Sequence, residues 1–573
     1  MDNLFPKRNQ IANSKMEKMF LFFADLNKPH AEAGDISVIQ QYIDYGNKHN
    51  TPFDWVQLHS GRVFDHAPIK NYPDVKIKID ENTNALVDKA IDLCKSQNVK
   101  VSYMIGDFSP LDEFFQHYPD IQDLNTGKFW EFIYDGVSAL CKRFPKLDEL
   151  GIYLFESGNL LSYTNFFKPL NYGYERKDTE TGRIVKMVSI PWPYYGFADM
   201  IRMLVISIAR ACKDNGKTFC LLTHVWFPYQ EELLYNALKD FPSDLPIMLE
   251  HNYTTGDFNP YFPFPGLIKK LPQMDHSVCY CCGMEYHGLA ITPCCFPEAI
   301  QATVAQAAED TPNFKRITVR PYWDNHSVLG TPNEINLYAL LHLADNPIAD
   351  METVWNDWIH EKYNVKNEKE EFVSILRNSY EAIKLVNFTF GTRMNDHSHL
   401  PDFEVLETRL HLYAQAMQIW NPVPEVRQTI RDLLMTPGAK ILRLNREAHE
   451  KAMYYIDDAL QRLDKISTSL SSTDYADIKK RFTDMRIYSE LHFLMYDSYI
   501  RILVKRYNNT NSAGKDSAYQ ADANALSFNH NIEKLKQALD KLKTQKEVCY
   551  LLSPNHIEDF IRRGTEEFNN ISA

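Results

Sequence analysis

The sequence of 573 residues predicts a (β/α)8 barrel over residues 14 to 363, followed by an all-α helical domain over residues 364 to 573. Short β-branched or aromatic runs alternate with amphipathic helical patterns through the first 360 residues, which is typical of parallel βα units. No glycine-rich phosphate loop follows the first run, whereas an open doubly wound sheet would usually have one. Beyond residue 366 the strand patterns stop and helical periodicity takes over.

Eight segments fit the strands of a barrel, because each is short and apolar and precedes a helical pattern of usable length. They are MFLFFADL (19 to 26), FDWVQLH (53 to 59), KVSYMIGD (100 to 107), ELGIYLFE (149 to 156), TFCLLTHVW (218 to 226), PIMLEHN (246 to 252), SVCYCCGME (277 to 285) and RITVRPYWD (316 to 324). The eighth helix is predicted in PNEINLYALLHLAD. The longest connection runs from Gly158 to Pro193, and its ERKDTETGR sequence predicts an exposed hairpin or flap.

The region after residue 366 shows apolar stripes with the period of an α-helix. One stripe contains Ile456, Leu460, Leu463, Ile466 and Leu470. Such stripes are what the helices of a bundle bury against one another, so they predict the core of an antiparallel helical domain. The segment NNTNSAGKDS (508 to 517) predicts a polar loop between two of these helices.

Composition and charge exclude several classes of function. The net charge of -13 argues against nucleic acid as a partner, because phosphate binding needs clustered Lys and Arg. The N-terminal residues lack the apolar core of a secretory signal, and no stretch of 18 apolar residues occurs. We therefore expect no membrane insertion and a soluble protein, which is cytoplasmic, or periplasmic if a leader has been removed.

Five of the ten cysteines, Cys279, Cys281, Cys282, Cys294 and Cys295, lie within 17 residues. Their CxCC and CC spacing differs from the paired CxxC motifs that suit tetrahedral zinc. Buried thiols are the better interpretation, since free cysteine is among the most buried residue types. The sequence thus predicts neither a metal site nor a cofactor.

The working residues of a (β/α)8 barrel project from the C-terminal ends of its strands, so the predicted strands also predict the candidate site. A mixture of carboxylates, aromatic rings and imidazoles in one mouth suits a sugar, whose ring faces are apolar and whose hydroxyls need fixed hydrogen-bond partners. The candidate substrate-binding residues are Asp25, His59, Asp107, His224, Trp226, Glu250, Asn252, Tyr286, His287, Arg320, Trp323 and Asp324.

Two of the strand-end acids lie across the predicted mouth from each other. Glu156 ends the fourth strand in YLFESGN, and Glu285 ends the seventh in GMEYHG. Paired carboxylates of this kind supply the acid and the base for cleavage of a glycosidic bond. A single strand-end Glu is equally typical of a structural carboxylate paired with an arginine.

Three segments in the same order resemble the xylan α-glucuronidase family of glycoside hydrolases. YLFESGN is similar to the segment that bears the family's general acid, so the resemblance implies that Glu156 is the proton donor. TTGDFNP resembles the sixth-strand loop that contains one carboxylate base, which matches Asp257. GMEYHG resembles the segment of the second base, which matches Glu285, and NEINLYALLHLADNPIADMETVWNDWI is similar to the segment after the barrel.

The resemblance implies an inverting mechanism, in which Glu156 protonates the leaving oxygen while Asp257 or Glu285 activates a water. It also implies a homodimer through the helical domain. The chain departs from the family at Ile152, where the family has a Lys that helps to bind the uronate carboxylate, and a family Arg after the fifth strand is missing. The family's N-terminal β-rich domain is missing as well. These departures indicate a divergent member whose substrate is an oligosaccharide with an undetermined sugar.

Three alternatives remain open at this stage. A retaining barrel glycosidase would use Glu285 as a nucleophile, with its carboxyl groups closer together than in an inverting enzyme. A non-catalytic carbohydrate-binding protein would keep the barrel without the chemistry. A metal-dependent hydrolase would use His59, His224, His251 and Asp324 as ligands.

Overall fold

The computed structural model describes most of the chain. The described residues are 15–22, 35–59, 63–105, 112–122, 127–154, 173–177, 184–188, 196–223, 225, 228–252, 260, 264–363, 365, 367–395, 397–510 and 518–571. Of the residues singled out in the sequence, Asp25, Asp107, Glu156, His224, Trp226 and Asp257 lie outside these ranges.

Eight parallel strands close into a barrel, which confirms the predicted fold class. Around the barrel the order is β1-β10-β9-β8-β7-β4-β3-β2. The barrel strands are β1 (Glu17–Phe22), β2 (Trp55–His59), β3 (Lys100–Ile105), β4 (Glu149–Leu154), β7 (Thr218–Thr223), β8 (Met248–His251), β9 (Asp275–Cys281) and β10 (Phe314–Arg320). Each corresponds to one of the eight predicted segments.

Two short hairpins accompany the barrel. β5 (Gly173–Lys177) and β6 (Ile184–Val188) pair antiparallel inside the longest βα connection, where the sequence predicts a hairpin. β11 (Tyr322–Trp323) and β12 (His326–Ser327) form a second hairpin directly after β10. Its two turn residues, Asp324 and Asn325, have φ of 48° and 60°. Positive φ at both central positions is the conformation of a tight hairpin turn, and Asp and Asn tolerate it better than most residues do.

Successive strand residues alternate between the barrel interior and the surrounding helices. Gly151 faces inward, since a Cβ added there would lie 2.6 Å from the Met104 side chain of the neighbouring strand. Ile152, the next residue, belongs to the apolar layer between strands and helices. The interior also holds polar groups, among them a buried ion pair of Glu149 with Arg316 at 2.9 Å.

The barrel helices cover the outside of the strands, and α9 corresponds to the predicted eighth helix. Asp80 starts α2 by accepting a hydrogen bond from the Thr83 amide, which satisfies one of the free N–H groups of the first turn. The helices up to this point are α1 (Ser37–Lys48), α2 (Glu81–Ser96), α3 (Asp112–His117), α4 (Lys128–Arg143), α5 (Gly196–Asp214), α6 (Pro228–Leu238), α7 (Gly266–Lys270), α8 (Pro297–Asp310) and α9 (Glu334–Asp345).

The rest of the chain is helical where it is described, as the periodicity predicts. Its helices are α10 (Met351–Lys362), α11 (Lys369–Asn387), α12 (Phe403–Trp420), α13 (Pro424–Met435), α14 (Ala439–Lys465), α15 (Ser472–Thr510), α16 (Ala518–Thr544) and α17 (Pro554–Asn570). The stripe residues Ile456, Leu463 and Ile466 are buried, in the same apolar cluster as the barrel helices. A second cluster lies among α12, α15, α16 and α17. The domain boundary at residues 363 and 364 stays a prediction, because the first cluster runs across it.

The predicted strands extend too far at their C-terminal ends. β9 ends at Cys281 and β10 at Arg320, whereas the sequence predicts strands up to residues 285 and 324. The apolar composition continues past each strand because the connecting loop is itself buried, as Cys282 and Met284 are. Glu285 therefore lies in a loop four residues beyond its strand. Within the part of the chain that the structure describes, no helix combines the length and the apolarity needed to cross a bilayer.

Candidate active site

The C-terminal ends of the barrel strands bring several predicted residues to one side of the molecule. His59 ends β2, Asn252 follows β8, and Arg320 ends β10. Glu285 follows β9, and Trp323 lies in the hairpin after β10. Because all the barrel strands are parallel, these residues share the face on which barrel enzymes carry their sites.

Both oxygens of the Glu285 carboxylate have charged or polar partners. One oxygen lies 3.0 Å from an Arg320 guanidinium nitrogen. The other accepts a hydrogen bond from Nδ1 of His397 at 2.7 Å. The side chains of Glu285 and Arg320 are almost fully buried, whereas that of His397 is 39% exposed. The carboxylate thus lies just beneath a solvent-accessible imidazole.

These partners decide the protonation state of Glu285. Burial alone would raise the pKa of this carboxyl, because the charged form loses its hydration. The Arg320 charge and the hydrogen bond from His397 outweigh burial and lower the pKa of Glu285 to about 2. Glu285 is therefore an anion at any physiological pH and has no proton to donate to a leaving group.

Aromatic rings and guanidinium groups form a stack around this carboxylate. The Trp323 and His397 rings are parallel within 8°, with centroids 6.1 Å apart. The Tyr286 ring also stacks on the His397 ring, with 5.4 Å between the two centroids. Arg320 lies 5.0 Å from the Trp323 ring centre, and Arg393 lies 3.8 Å from that of Tyr286. Such cation–π and stacking contacts hold the rings in fixed orientations.

The loop that bears Glu285 is fixed by two asparagines at the start of α9. Asn333 donates to the Gly283 carbonyl at 3.0 Å, and Asn336 donates to the Cys282 carbonyl at 3.2 Å. Gly283 has φ of 84°, and a Cβ there would lie 2.9 Å from the Asn333 amide nitrogen. Glycine is thus required where the chain leaves β9, and the turn directs Glu285 toward Arg320.

The segment after α11 fixes the same loop from the other side. Ser398 donates to the Glu285 carbonyl at 2.8 Å and accepts from the Gly288 amide at 2.8 Å. Asn387 donates to the Tyr286 carbonyl at 2.9 Å. His397 and Ser398 have φ of 50° and 72°, a conformation that is unfavourable for residues other than glycine. The surrounding hydrogen bonds hold this backbone in place, as is common at functional sites.

His397 is the residue of the candidate site that the sequence did not single out. It lies 112 positions from Glu285, in a segment outside the predicted barrel. The only local signal is the run GTRMNDHSHL (391 to 400), in which Arg, Asp and two His interrupt the helical periodicity between α11 and α12. Sequence spacing gives no indication that this run folds back onto the seventh barrel strand.

The other described candidates occupy different environments. His59 and Trp323 are partly exposed, and Asp324 is exposed. Tyr286, Arg320 and Asn252 are buried at the edge of the mouth. Glu250 and His287 are fully buried, so neither presents surface to a substrate in this structure. His287 packs among the rings of Phe296, Tyr380 and Phe388.

Glu250 lies inside the barrel below the mouth. It accepts hydrogen bonds from Thr318 at 2.6 Å and Ser277 at 3.4 Å, and among the described residues its second oxygen has no hydrogen-bond partner. Burial raises the pKa of Glu250 to about 7, against the opposing effects of Thr318 and Arg316. A pKa of about 7 leaves Glu250 partly protonated at neutral pH, but its full burial means that it presents no surface to a substrate.

Two expectations about ligands change with the geometry. Ile152 packs in the apolar layer against the helices rather than in the barrel interior, so it does not face the mouth, where the resemblance implies a Lys that binds a uronate. His251 is bonded to His276 at 2.9 Å in the outer layer, which removes it from the alternative metal-ligand set. Among the described residues no three His, Cys, Asp or Glu are placed to hold a metal ion, and Cys279, Cys281, Cys282, Cys294 and Cys295 are buried.

Comparisons with known proteins agree with the architecture. No family model and no curated protein sequence matches the chain. Among solved structures, a GH138 enzyme targeting pectin rhamnogalacturonan II is 13% identical, with a TM-score of 0.57 over 97% of this chain and 67% of that one. A Thermobaculum terrenum O-GlcNAc hydrolase is 9% identical, with a TM-score of 0.40 over 97% of this chain and 95% of that one. A GH115 4-O-methyl-α-glucuronidase is 10% identical, with a TM-score of 0.40 over 95% of this chain and 62% of that one. Likeness at this level of identity concerns the fold alone, and the two lower scores add nothing to it.

Proposed function

We propose that this chain is a glycoside hydrolase that cleaves a glycosidic bond in an oligosaccharide by an α-glucuronidase-like, inverting mechanism. One observation carries the proposal: the Glu285 carboxylate is held as an anion at the barrel mouth by Arg320 and by His397, whose ring is parallel to that of Trp323. An ionised carboxylate beside fixed aromatic rings is what a site needs in order to bind a sugar and to stabilise or activate groups at its reacting carbon.

The low pKa of Glu285 supports the role of the base within this chemistry. Inversion needs one protonated acid and one ionised base, and the pKa of about 2 suits only the base. The acid is then Glu156, which follows the end of β4 by two residues. β4 and β9 are separated by β7 and β8 in the closed barrel, so acid and base would face each other across the mouth. Asp257 is the second proposed base, as the family resemblance implies.

The fold similarity to the GH138 enzyme supports a member of the same broad class, since barrels of this architecture carry their chemistry at the strand ends. The identity of the sugar is proposed only at the level of an oligosaccharide. Arg320 is bonded to Glu285 and buried, so its charge is already balanced within the protein. It is therefore a poor substitute for the missing cations that bind a uronate carboxylate in the resembling family, and His224 is the remaining candidate from the sequence.

The test is a digestion panel of glucuronoxylan, pectin oligosaccharides and aryl glycosides, with the first product analysed by anomer-resolved NMR. We expect hydrolysis with inverted configuration, and loss of turnover of at least about a thousandfold in Glu156→Gln and Glu285→Gln with the fold retained. Glu450→Gln, exposed on α14, is the matched control and should keep full activity. Retained configuration would instead make Glu285 a nucleophile, which its pKa also suits.

Three further outcomes would overturn the proposal. Full activity in Glu156→Gln would remove the acid assignment, and full activity in Glu285→Gln would make its pairing with Arg320 purely structural. A wild-type protein that hydrolyses nothing in the panel, yet binds oligosaccharides, would instead be a carbohydrate-binding barrel without catalysis.

A further inference from the structure

A second group of aromatic side chains lies next to the Glu285 site. We name it the rim cluster, and it consists of Asp324, His326, His399 and Tyr550. The Tyr550 hydroxyl donates to the Asp324 carboxylate at 2.6 Å. The Tyr550 ring centroid lies 4.8 Å from that of His326 and 4.7 Å from that of His399. The cluster thus joins the barrel hairpin to two separate segments of the helical region.

The rim cluster is continuous with the candidate active site. Asp324 directly follows Trp323 in the β11–β12 hairpin, and the Trp323 ring is parallel to that of His397. His397 in turn donates to Glu285. The proposed base is therefore connected to Tyr550 through neighbouring residues, by the contacts of Glu285 with His397 and of His397 with Trp323 and by the chain link from Trp323 to Asp324.

The surface of the rim cluster has the chemistry that recognises a sugar. Tyr550 is 48% exposed, although its hydroxyl is fixed by Asp324. The Nδ1 atoms of His326 and His399 donate to the carbonyls of Asp324 and Tyr550 at 2.7 Å and 3.2 Å, which fixes both imidazole rings. An exposed aromatic ring held rigidly beside fixed imidazoles and a carboxylate matches the apolar face and the hydroxyls of a pyranose.

We propose that the rim cluster is a second sugar-binding subsite, which holds a unit of the oligosaccharide beyond the one whose glycosidic bond is cleaved. This inference rests on the proposed function. The Asp324 carboxylate repels an anionic sugar, so the subsite favours a neutral one. It also gives the helical region a direct part in substrate selection, because His399 and Tyr550 both belong to that region.

The experiment compares Tyr550→Ala and Tyr550→Phe with the wild type. Tyr454→Ala is the matched control, since Tyr454 is 67% exposed on α14. kcat/KM is measured on an aryl glycoside and on oligosaccharides of glucuronoxylan and pectin. Binding is measured by affinity electrophoresis in soluble glucuronoxylan, whose backbone sugars are neutral, and in soluble pectin. Tyr550→Ala should lower kcat/KM on the oligosaccharides about five- to tenfold while leaving the aryl glycoside unchanged. Tyr550→Phe keeps the aromatic ring, so its kcat/KM on the oligosaccharides should fall less than that of Tyr550→Ala.

Equal losses on both kinds of substrate, or no loss on either, would overturn the subsite. If the wild type hydrolyses nothing, the proposed function fails by itself, and the subsite is then judged by electrophoresis alone. Retardation of the wild type that disappears in Tyr550→Ala and persists in Tyr454→Ala would support it. Equal retardation of all the proteins, or none of the wild type, would refute it.

Discussion

The ionised state of Glu285 makes a prediction about stability that does not depend on knowing the substrate. The pKa of this carboxyl falls from its ordinary value of 4.5 to about 2 in the folded protein. Because a change of one in pKa corresponds to about 1.4 kcal/mol, the anion contributes about 3 kcal/mol to the free energy of unfolding at neutral pH. Glu285 is almost fully buried, so solvent does not screen this contribution.

The direction of the pH dependence follows from the lowered pKa. The stabilisation is fully present above the unfolded pKa of 4.5, and it is lost as the pH falls toward about 2. Between pH 4.5 and pH 3 the wild type should therefore lose about 2 kcal/mol that Glu285→Gln does not lose. At pH 7 the variant should be less stable by about 3 kcal/mol, because Arg320 is left buried without its counter-ion.

The assay is equilibrium urea unfolding of the wild type and Glu285→Gln at pH 7, 5, 4 and 3, compared through the midpoints at a common slope. All other titrating carboxylates cancel in the difference between the two proteins. Glu450→Gln again serves as the control and should follow the wild type at every pH. The reasoning would be refuted if the difference in unfolding free energy between the wild type and Glu285→Gln were the same at pH 3 and pH 7. The pKa of Glu285 in the folded protein would then be ordinary.

Two further predictions concern the neighbours of this carboxylate. Replacing His397 by Ala removes a charge-assisted hydrogen bond, so the pKa of Glu285 should rise and the acidic limb of the pH profile of kcat/KM should move up by about one pH unit. His397→Asn keeps a donor and should therefore reverse most of this shift. An acidic limb that does not move in either variant would contradict the assignment. The second change, Glu250→Gln, removes the Glu250 carboxyl from the barrel interior. Burial raises the pKa of Glu250 to about 7, so the wild type loses stability as the pH rises from about 4.5 through 7. The variant should gain about 3 kcal/mol relative to the wild type between pH 5 and pH 8 in urea unfolding, and parallel pH profiles would count against the raised pKa.

The sequence predicts the barrel well because each strand is specified locally. β-branched and aromatic runs followed by amphipathic helices fix the number and order of the βα units, and the closure of eight parallel strands follows from them. The strand ends are harder to predict, because burial and strand pairing stop at different residues. Cys282 and Met284 are as buried as strand residues, yet they belong to a loop that side chains of Asn333 and Asn336 hold in place.

The partners within the site are not predictable from the same local signals. Arg320 is found from the sequence because the strand-end rule selects it, but its pairing with Glu285 depends on the turn at Gly283. His397 is not found at all, since no strand-end rule applies to a segment between two helices. A strained backbone is stable there only because Ser398 and its neighbours are bonded to the loop after β9.

The barrel and the helical region both contribute groups that keep Glu285 ionised, because burying an unpaired charge is costly. An isolated carboxylate at the depth of Glu285 would take up a proton rather than remain an anion. Arg320 supplies a compensating charge from the adjacent barrel strand, and His397 supplies a hydrogen bond from the helical region. The barrel by itself thus provides only part of what keeps the proposed base ionised. The helical region contributes to the electrostatics of the candidate site, so its packing against the loop after β9 bears on the proposed chemistry as well as on stability.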